Sequence, residues 1–287
     1  MMVSRMNWLI SLSRRRWSFV CRPSGRFGPA GVVGRWVCVA MLSIVALGPH
    51  LLLRPSEAGQ GEQAGSMPGP DPKRLVAEFH QDFRGGKFDS KMLKLVGADA
   101  REWVKAEEDG LNIRIPAGLN KPMPVGVAPR FRIHGDFEIT ASYVIVKADN
   151  PIRGYGLAAI LWVETDTDTA EAATIERGII PKEGERFTST RISGPPPPET
   201  RKYDVRRSRA RSRSGKIRMA RVGPSVITSF ADGTEPFRVL RKVELGPEDL
   251  TLARLAAETG WSDHGVEIRL EDLTIRAEAF PATSVTR

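Results

Sequence analysis

Residues 135–147 read Gly-Asp-Phe-Glu-Ile-Thr-Ala-Ser-Tyr-Val-Ile-Val-Lys, and their alternation decides the fold. Phe137, Ile139, Ala141, Tyr143 and Ile145 fall on one side of an extended chain, while Asp136, Glu138, Thr140 and Ser142 fall on the other. A period of two buries one face of a strand and leaves the other to water or ligand; no helix sorts these residues this way. Upstream, Val104 to Glu108 and Leu111 to Ile115 flank Asp109-Gly110, a pair suited to the positive backbone angles of a tight hairpin turn. Downstream, Gly154 to Glu164 is apolar on both faces, as expected of a strand covered from both sides in mid-sheet.

The same pattern continues outward. Strands are predicted over Val76 to Phe83, Thr174 to Ile180, Lys202 to Ser208, Lys216 to Ala220, Ser225 to Ala231, Phe237 to Glu244 and Val266 to Ala277. In the last, Val266, Ile268 and Leu270 keep one parity and Leu273, Ile275 and Ala277 the other, which predicts a β-bulge at Glu271-Asp272. Leu250 to Glu258 carries helix-favouring Leu and Ala, yet its turn spacing favours a strand, and it is read as one. Pro195 to Pro198 hold an extended surface loop. About ten short strands without strand–helix alternation give an all-β, two-sheet antiparallel sandwich.

The formal charge of +9 resembles a nucleic-acid signature until it is divided along the chain. Residues 1–58 carry eight basic residues and one acid, which leaves the body, with 35 basic and 33 acidic residues, close to neutral. Both cysteines, Cys21 and Cys38, also lie in this leader, so the body holds no disulfide, thiolate metal site or cysteine nucleophile. Arginines without acids precede the apolar run Trp36 to Leu47, the order of an export signal, and Ser56-Glu57-Ala58 suits cleavage after Ala58. An uncleaved membrane anchor is the alternative, extended by Leu51 to Leu53 but interrupted by Pro49. The expected organisation is a signal or anchor over 1–58, a Gly/Pro-rich flexible linker over 59–74, one sandwich over 75–280 and a disordered tail over 281–287. Membrane contact is expected only through the leader, and the body is expected to be extracytoplasmic.

Several motifs follow one another in a familiar order: Phe79-x-x-Asp82-Phe83-Arg84-Gly85, Gly110-Leu111-x-Ile113-x-Ile115-Pro116, Gly135-Asp136-Phe137-Glu138-Ile139-Thr140, Gly154-Tyr155-Gly156, Ser214-Gly215-Lys216-Ile217-Arg218 and Leu270-x-Asp272-Leu273-x-Ile275. They resemble concanavalin A-like, laminin-G-like jelly rolls, and their spacing is similar to that of an exported bacterial family catalogued as domain of unknown function 1583. The resemblance implies two curved antiparallel sheets and a concave face that in relatives binds or cleaves saccharides. It defines no reaction.

Retaining glycosidases need two carboxyls about 5 Å apart, and the nearest match is Glu164-Thr165-Asp166-Thr167-Asp168 with Glu171 beyond, although Thr and Asp at a strand end also read as a solvated turn. Asp166, Asp168 and Glu171 would suit a calcium ion, the one cofactor the residues allow for, but the stretch lacks the glycine of an EF-hand loop. Gly154-Tyr155-Gly156-Leu157-Ala158-Ala159 matches a dinucleotide fingerprint formally and fails because a strand follows in place of a helix. The body histidines His80, His134 and His264 form no ligand pair, and no Gly-x-Ser-x-Gly elbow occurs. The basic run Arg201 to Arg221 contains one acid, Asp204; it is read either as a solvated hairpin turning at Ser214-Gly215 or as a grip on a polyanion through Arg207, Arg209 and Arg211. With Tyr203 its one aromatic, it is poorly supplied for stacking on bases, so nucleic acid is a remote partner. Trp162 is the preferred stacking platform, with Glu138 as acceptor if the two share a sheet face.

The expected role is therefore non-catalytic binding of a carbohydrate or anionic surface polymer. The alternatives are a polysaccharide hydrolase or lyase using Glu138 or Glu164, and a structural cell-envelope protein without a small ligand.

Overall fold

The computed structural model describes residues 69–119, 124–195 and 200–281; the leader with its cysteines, most of the linker, Pro196 to Pro198 and nearly all of the tail lie outside them. Fifteen strands and one short helix follow in order: β1 (Ala77–Asp82), β2 (Leu93–Val96), α1 (Ala100–Trp103), β3 (Val104–Glu107), β4 (Gly110–Ile115), β5 (Val125–Pro129), β6 (His134–Ala148), β7 (Leu157–Thr165), β8 (Ala172–Ile180), β9 (Gly184–Ser193), β10 (Lys202–Arg209), β11 (Ser214–Val222), β12 (Ser225–Asp232), β13 (Arg238–Glu244), β14 (Leu250–Glu258) and β15 (Val266–Ala279). No helix among the described residues is long and apolar enough to cross a membrane.

All pairings are antiparallel and fall into two sheets. The first has the order β13-β12-β11-β6-β15-β4-β3, with β1 also pairing β15; the second has the order β10-β9-β8-β7-β14-β5-β2. β7 is thus the central strand of its sheet, as its two apolar faces predicted. The expected alternation of β6 is also present: Phe137, Ile139, Ala141, Tyr143 and Ile145 are all buried in the core. They face Leu157, Ala159, Leu161 and Val163 of β7 within one hydrophobic cluster. Between β9 and β12, the Phe187 and Phe230 rings stack with centroids 4.0 Å apart. Each such side chain contributes about 1.5–3 kcal/mol on burial, so the alternation specifies which face turns inward.

The predicted hairpin forms with its turn one residue earlier than expected: Glu107 pairs Gly110, so Glu108-Asp109 make the turn and Gly110 begins β4, where a Cβ would fall 2.6 Å from Leu270 O. β15 shifts register against β6 between Leu270 and Asp272, at the predicted bulge. β14 settles the Leu250 to Glu258 ambiguity as a strand, because β7 and β5 satisfy its backbone on both sides and outweigh the local preference of Leu and Ala. Four elements escaped the sequence reading: β2, α1, β5 and β9. β5 reads Val-Gly-Val-Ala-Pro, whose Gly and Pro signal a loop, and it is a strand because Gly126 lets β14 approach closely.

One expectation about the basic run is corrected. β10 pairs β9 in the second sheet, whereas β11 pairs β6 and β12 in the first, so Arg201 to Arg221 is a crossing between sheets and not a hairpin. Its turn residues are instead held by Asp232, whose carboxylate accepts from the backbone amides of Arg211 and Ser212 at 2.8 and 2.9 Å.

Candidate functional site

The polar site lies on the face of the second sheet that points away from the core. Register places the residues in rows: Tyr203, Ile192, Ala172, Glu164 and Leu252; then Val205, Thr190, Thr174, Trp162 and Arg254; then Arg207, Thr188, Glu176, Ile160 and Ala256; then Arg209, Arg186, Gly178, Ala158 and Glu258. Although they point outward, Ile160 and Thr174 are each only 1% exposed and Ala158 5%. Side chains so hidden on an outer face lie beneath longer neighbours that cover them.

Those neighbours carry the chemistry. The Arg254 guanidinium lies 4.5 Å from the Trp162 ring centroid, a cation–π contact between adjacent strands. Trp162 Nε1 and Arg254 Nε are both buried without a hydrogen-bond partner. An orphaned buried donor costs about 1–3 kcal/mol, and here two stand beside one another without an acceptor among the described residues.

Two carboxyls share the floor. Burial pushes the Glu258 carboxyl up to about 8, and the nearby Glu176 charge adds to the rise against the opposing pull of Arg254. Burial also raises Glu176, opposed by the hydroxyl of Thr174, which donates to Glu176 Oε1 at 2.9 Å, and by the charge of Arg207. Both groups keep some solvent exposure while most of their surface is covered by protein, which disfavours the charged form. At neutral pH Glu258 therefore retains its proton and can donate as well as accept.

The structure distributes the sequence-predicted residues unevenly. Trp162 and Glu164 share this face, two residues apart on β7. Glu138 does not: β6 belongs to the other sheet, and there Glu138 lies 3.6 Å from Arg218. The expectation of a joint Trp162–Glu138 site thus fails, because the outward faces of the two sheets point in opposite directions. Alternation also stops at Thr165, the end of β7, so Asp166 and Asp168 do not continue the row begun by Glu164. Asp166 pairs Arg132 at 3.0 Å and Glu171 pairs Arg191 at 2.9 Å, while Asp168 is exposed. Among the described residues no three His, Cys, Asp or Glu side chains gather to hold a metal ion. Of the three carboxylates offered for calcium, two are thus paired with arginines.

Arg207 and Arg209 stand on the floor side of edge strand β10, opposite Thr188 and Arg186, and Arg207 lies 3.5 Å from Glu183. Arg211 lies past the end of β10, in the crossing between sheets. Glu176, Glu258, Arg254 and Thr174 were not foreseen. Their one sequence signal is a charge inside an otherwise apolar strand, Thr-Ile-Glu-Arg-Gly-Ile-Ile and Leu-Ala-Arg-Leu-Ala-Ala-Glu, in which Arg254 and Glu258 share a face by parity.

Residues 70–287 match the model of a family described as "Protein of unknown function (DUF1583) C domain". No curated protein matches the sequence significantly. Among solved structures the chain is similar to a glycoside hydrolase family 16 endo-glucanase from Bacteroides ovatus, with 13% identity, a TM-score of 0.51, and coverage of 69% of this chain and 99% of that one. It is also similar to the GH43 BlXynB protein from Bacillus licheniformis, with 10% identity, a TM-score of 0.52, and coverage of 69% of this chain and 39% of that one. At such identities the likeness carries the fold, a jelly-roll sandwich.

Proposed function

The chain belongs to the DUF1583 C-domain family, and from its outward polar face we propose that it binds a saccharide non-catalytically across Trp162, Arg254, Glu176 and Glu258. One observation carries this reading: the indole and guanidinium of Trp162 and Arg254 sit together with their ring N–H and Nε–H unpartnered, beside a carboxyl that keeps its proton at neutral pH. A sugar ring offers a C–H face for the aromatic and hydroxyl oxygens for those donors. Arg207, Arg209 and Arg186 along one margin favour a chain carrying carboxylates or sulfates. The fold, similar to glycoside hydrolases acting on glucan, is compatible with this use. The arginine-rich leader supports a setting outside the cytosol, where such polymers are met.

Affinity electrophoresis through gels containing xylan, mixed-linkage glucan or polygalacturonate tests the proposal. Retardation by at least one polymer, abolished in Trp162→Ala and kept in Trp103→Phe, is the expected result. Equal mobility of wild type and Trp162→Ala in every gel would refute it.

A second reading rests on the carboxyl pair itself. Glu258, holding a proton, and Glu176, the partner whose charge raises it, are disposed as an acid and a base. Release of reducing ends from the retarding polymer, lost in Glu258→Gln and in Glu176→Gln, would favour a hydrolase over a binding protein.

A further inference from the structure

Beyond the floor, the loops that join β6 to β7 and β14 to β15 present two aromatic side chains in the open. Tyr155 is 81% exposed and Trp261 57%, and with Gly154 they line a concavity of about 440 Å³. Exposed aromatic pairs on loops are ordinarily mobile, and these are not free to be. Tyr155 N–H donates to Gly260 O at 2.6 Å. A Cβ on Gly154 would meet Gly260 O at 2.5 Å, and one on Gly260 would meet Gly156 O at 2.6 Å, so the two loops touch backbone to backbone through glycines. Trp261 itself adopts φ 62°, a left-handed conformation that a bulky residue takes only when its surroundings impose it.

The placement of this pair relative to the floor is set by register. Ala158 and Glu258 are paired on adjacent strands. Tyr155 lies three residues before Ala158 and Trp261 three residues after Glu258, at the end of the floor where Glu258 stands. From Trp162 back to Leu157 the strand covers five residues, about 17 Å at roughly 3.3 Å per residue, and Tyr155 lies beyond its end. A single sugar does not bridge that interval; a chain of several does.

We infer that Tyr155 and Trp261 form a terminal aromatic subsite that stacks on a ring of the same saccharide chain whose other units occupy the floor. This rests on the floor reading above and adds to it a ligand class: an oligosaccharide or polymer long enough to reach from Trp162 to Trp261, not a monosaccharide. The glycine-backed contact fixes the two backbones that carry the rings before the ligand arrives, which lowers the ordering cost of binding. Continuity with the floor argues for a glycan. The exposed Ile152 in the β6–β7 loop makes a lipid surface the competing occupant, and the test includes it.

The test uses the full chain and two variants expected to fold, Tyr155→Ala at an exposed position and Trp261→Gly, which replaces the left-handed residue by the one suited to it. Calorimetric titration with cellobiose and cellohexaose, and with the dimer and hexamer of galacturonic acid, compares short and long ligands. For at least one series the wild type should bind the hexamer roughly tenfold or more tightly than the dimer. Trp261→Gly should bring the hexamer down to the dimer's affinity and leave the dimer unchanged. Length dependence that survives both variants overturns the terminal subsite while the floor stands. Lack of binding by the wild type to every ligand removes both. Flotation with phosphatidylglycerol vesicles that is lost in Trp261→Gly would assign the pair to a lipid surface and also overturn the inference.

Discussion

The charge of Glu176 on β8 raises the Glu258 carboxyl on β14, although β7 runs between their strands. Between them on β7 stand Ala158, paired with Glu258, and Ile160, paired with Glu176. The pair therefore shares one environment, and ionising both members is unfavourable.

A pH dependence of stability follows. Folding raises the Glu258 carboxyl from its ordinary 4.5 to about 8, so over that interval the folded chain holds a proton that the unfolded chain has released. Stability attributable to this group is then fully present below about pH 4.5, is lost as pH rises towards 8, and is flat above that, with a slope of at most about 1.4 kcal/mol per pH unit. Urea unfolding midpoints measured from acidic to alkaline pH should show this decline in the wild type. Glu258→Gln should flatten it.

Arg177 is fully buried on the inward side of β8, between Ile175 and Ile179. Its guanidinium donates to Ser212 O, to Gly178 O at 2.9 Å and to the carboxylate of Glu185, and its face lies 5.6 Å from the Phe187 ring centroid. Truncation removes the donors to the Ser212 and Gly178 carbonyls and leaves Glu185 with Arg213 alone, 3.6 Å away. Arg177→Ala should lower the unfolding free energy by about 3–5 kcal/mol in denaturant titration, and more than Arg177→Lys does.

Gly126 lets β5 lie against β14. A Cβ there would fall 2.2 Å from Leu255 O and 2.5 Å from Ala256 Cα, both backbone atoms with no room to give. Gly126→Ala is expected to cost about 1–3 kcal/mol or more and to lower the thermal midpoint. Gly184→Ala is a comparison at a site with open space, where the penalty arises only from its φ of 73°.

The arginine margin should reveal itself through salt. If Arg207 and Arg209 meet an anionic chain, affinity for polygalacturonate falls as NaCl rises, and Arg207→Ser with Arg209→Ser shallows that dependence. Retardation by neutral glucan should change little in the same variant. An unchanged salt slope would remove these two residues from the ligand contact.

Period-two alternation and turn chemistry determined a great deal without any structure: Phe137 to Ile145 inward, the hairpin near Asp109 to within one residue, the bulge near Asp272 and the all-β class. These features are local, because whether a side chain meets water or core depends on its parity within its own strand. Which strands become neighbours is not local. Glu138 and Trp162 look equally outward in sequence, yet β6 and β7 enter different sheets and point them to opposite sides of the molecule. Arg254, Glu176 and Glu258 looked like isolated charges in apolar strands, and the β8-β7-β14 pairing brings them together around Trp162. That pairing depends on long-range backbone hydrogen bonds and on the fit of two whole sheets, quantities that no single stretch of the chain encodes.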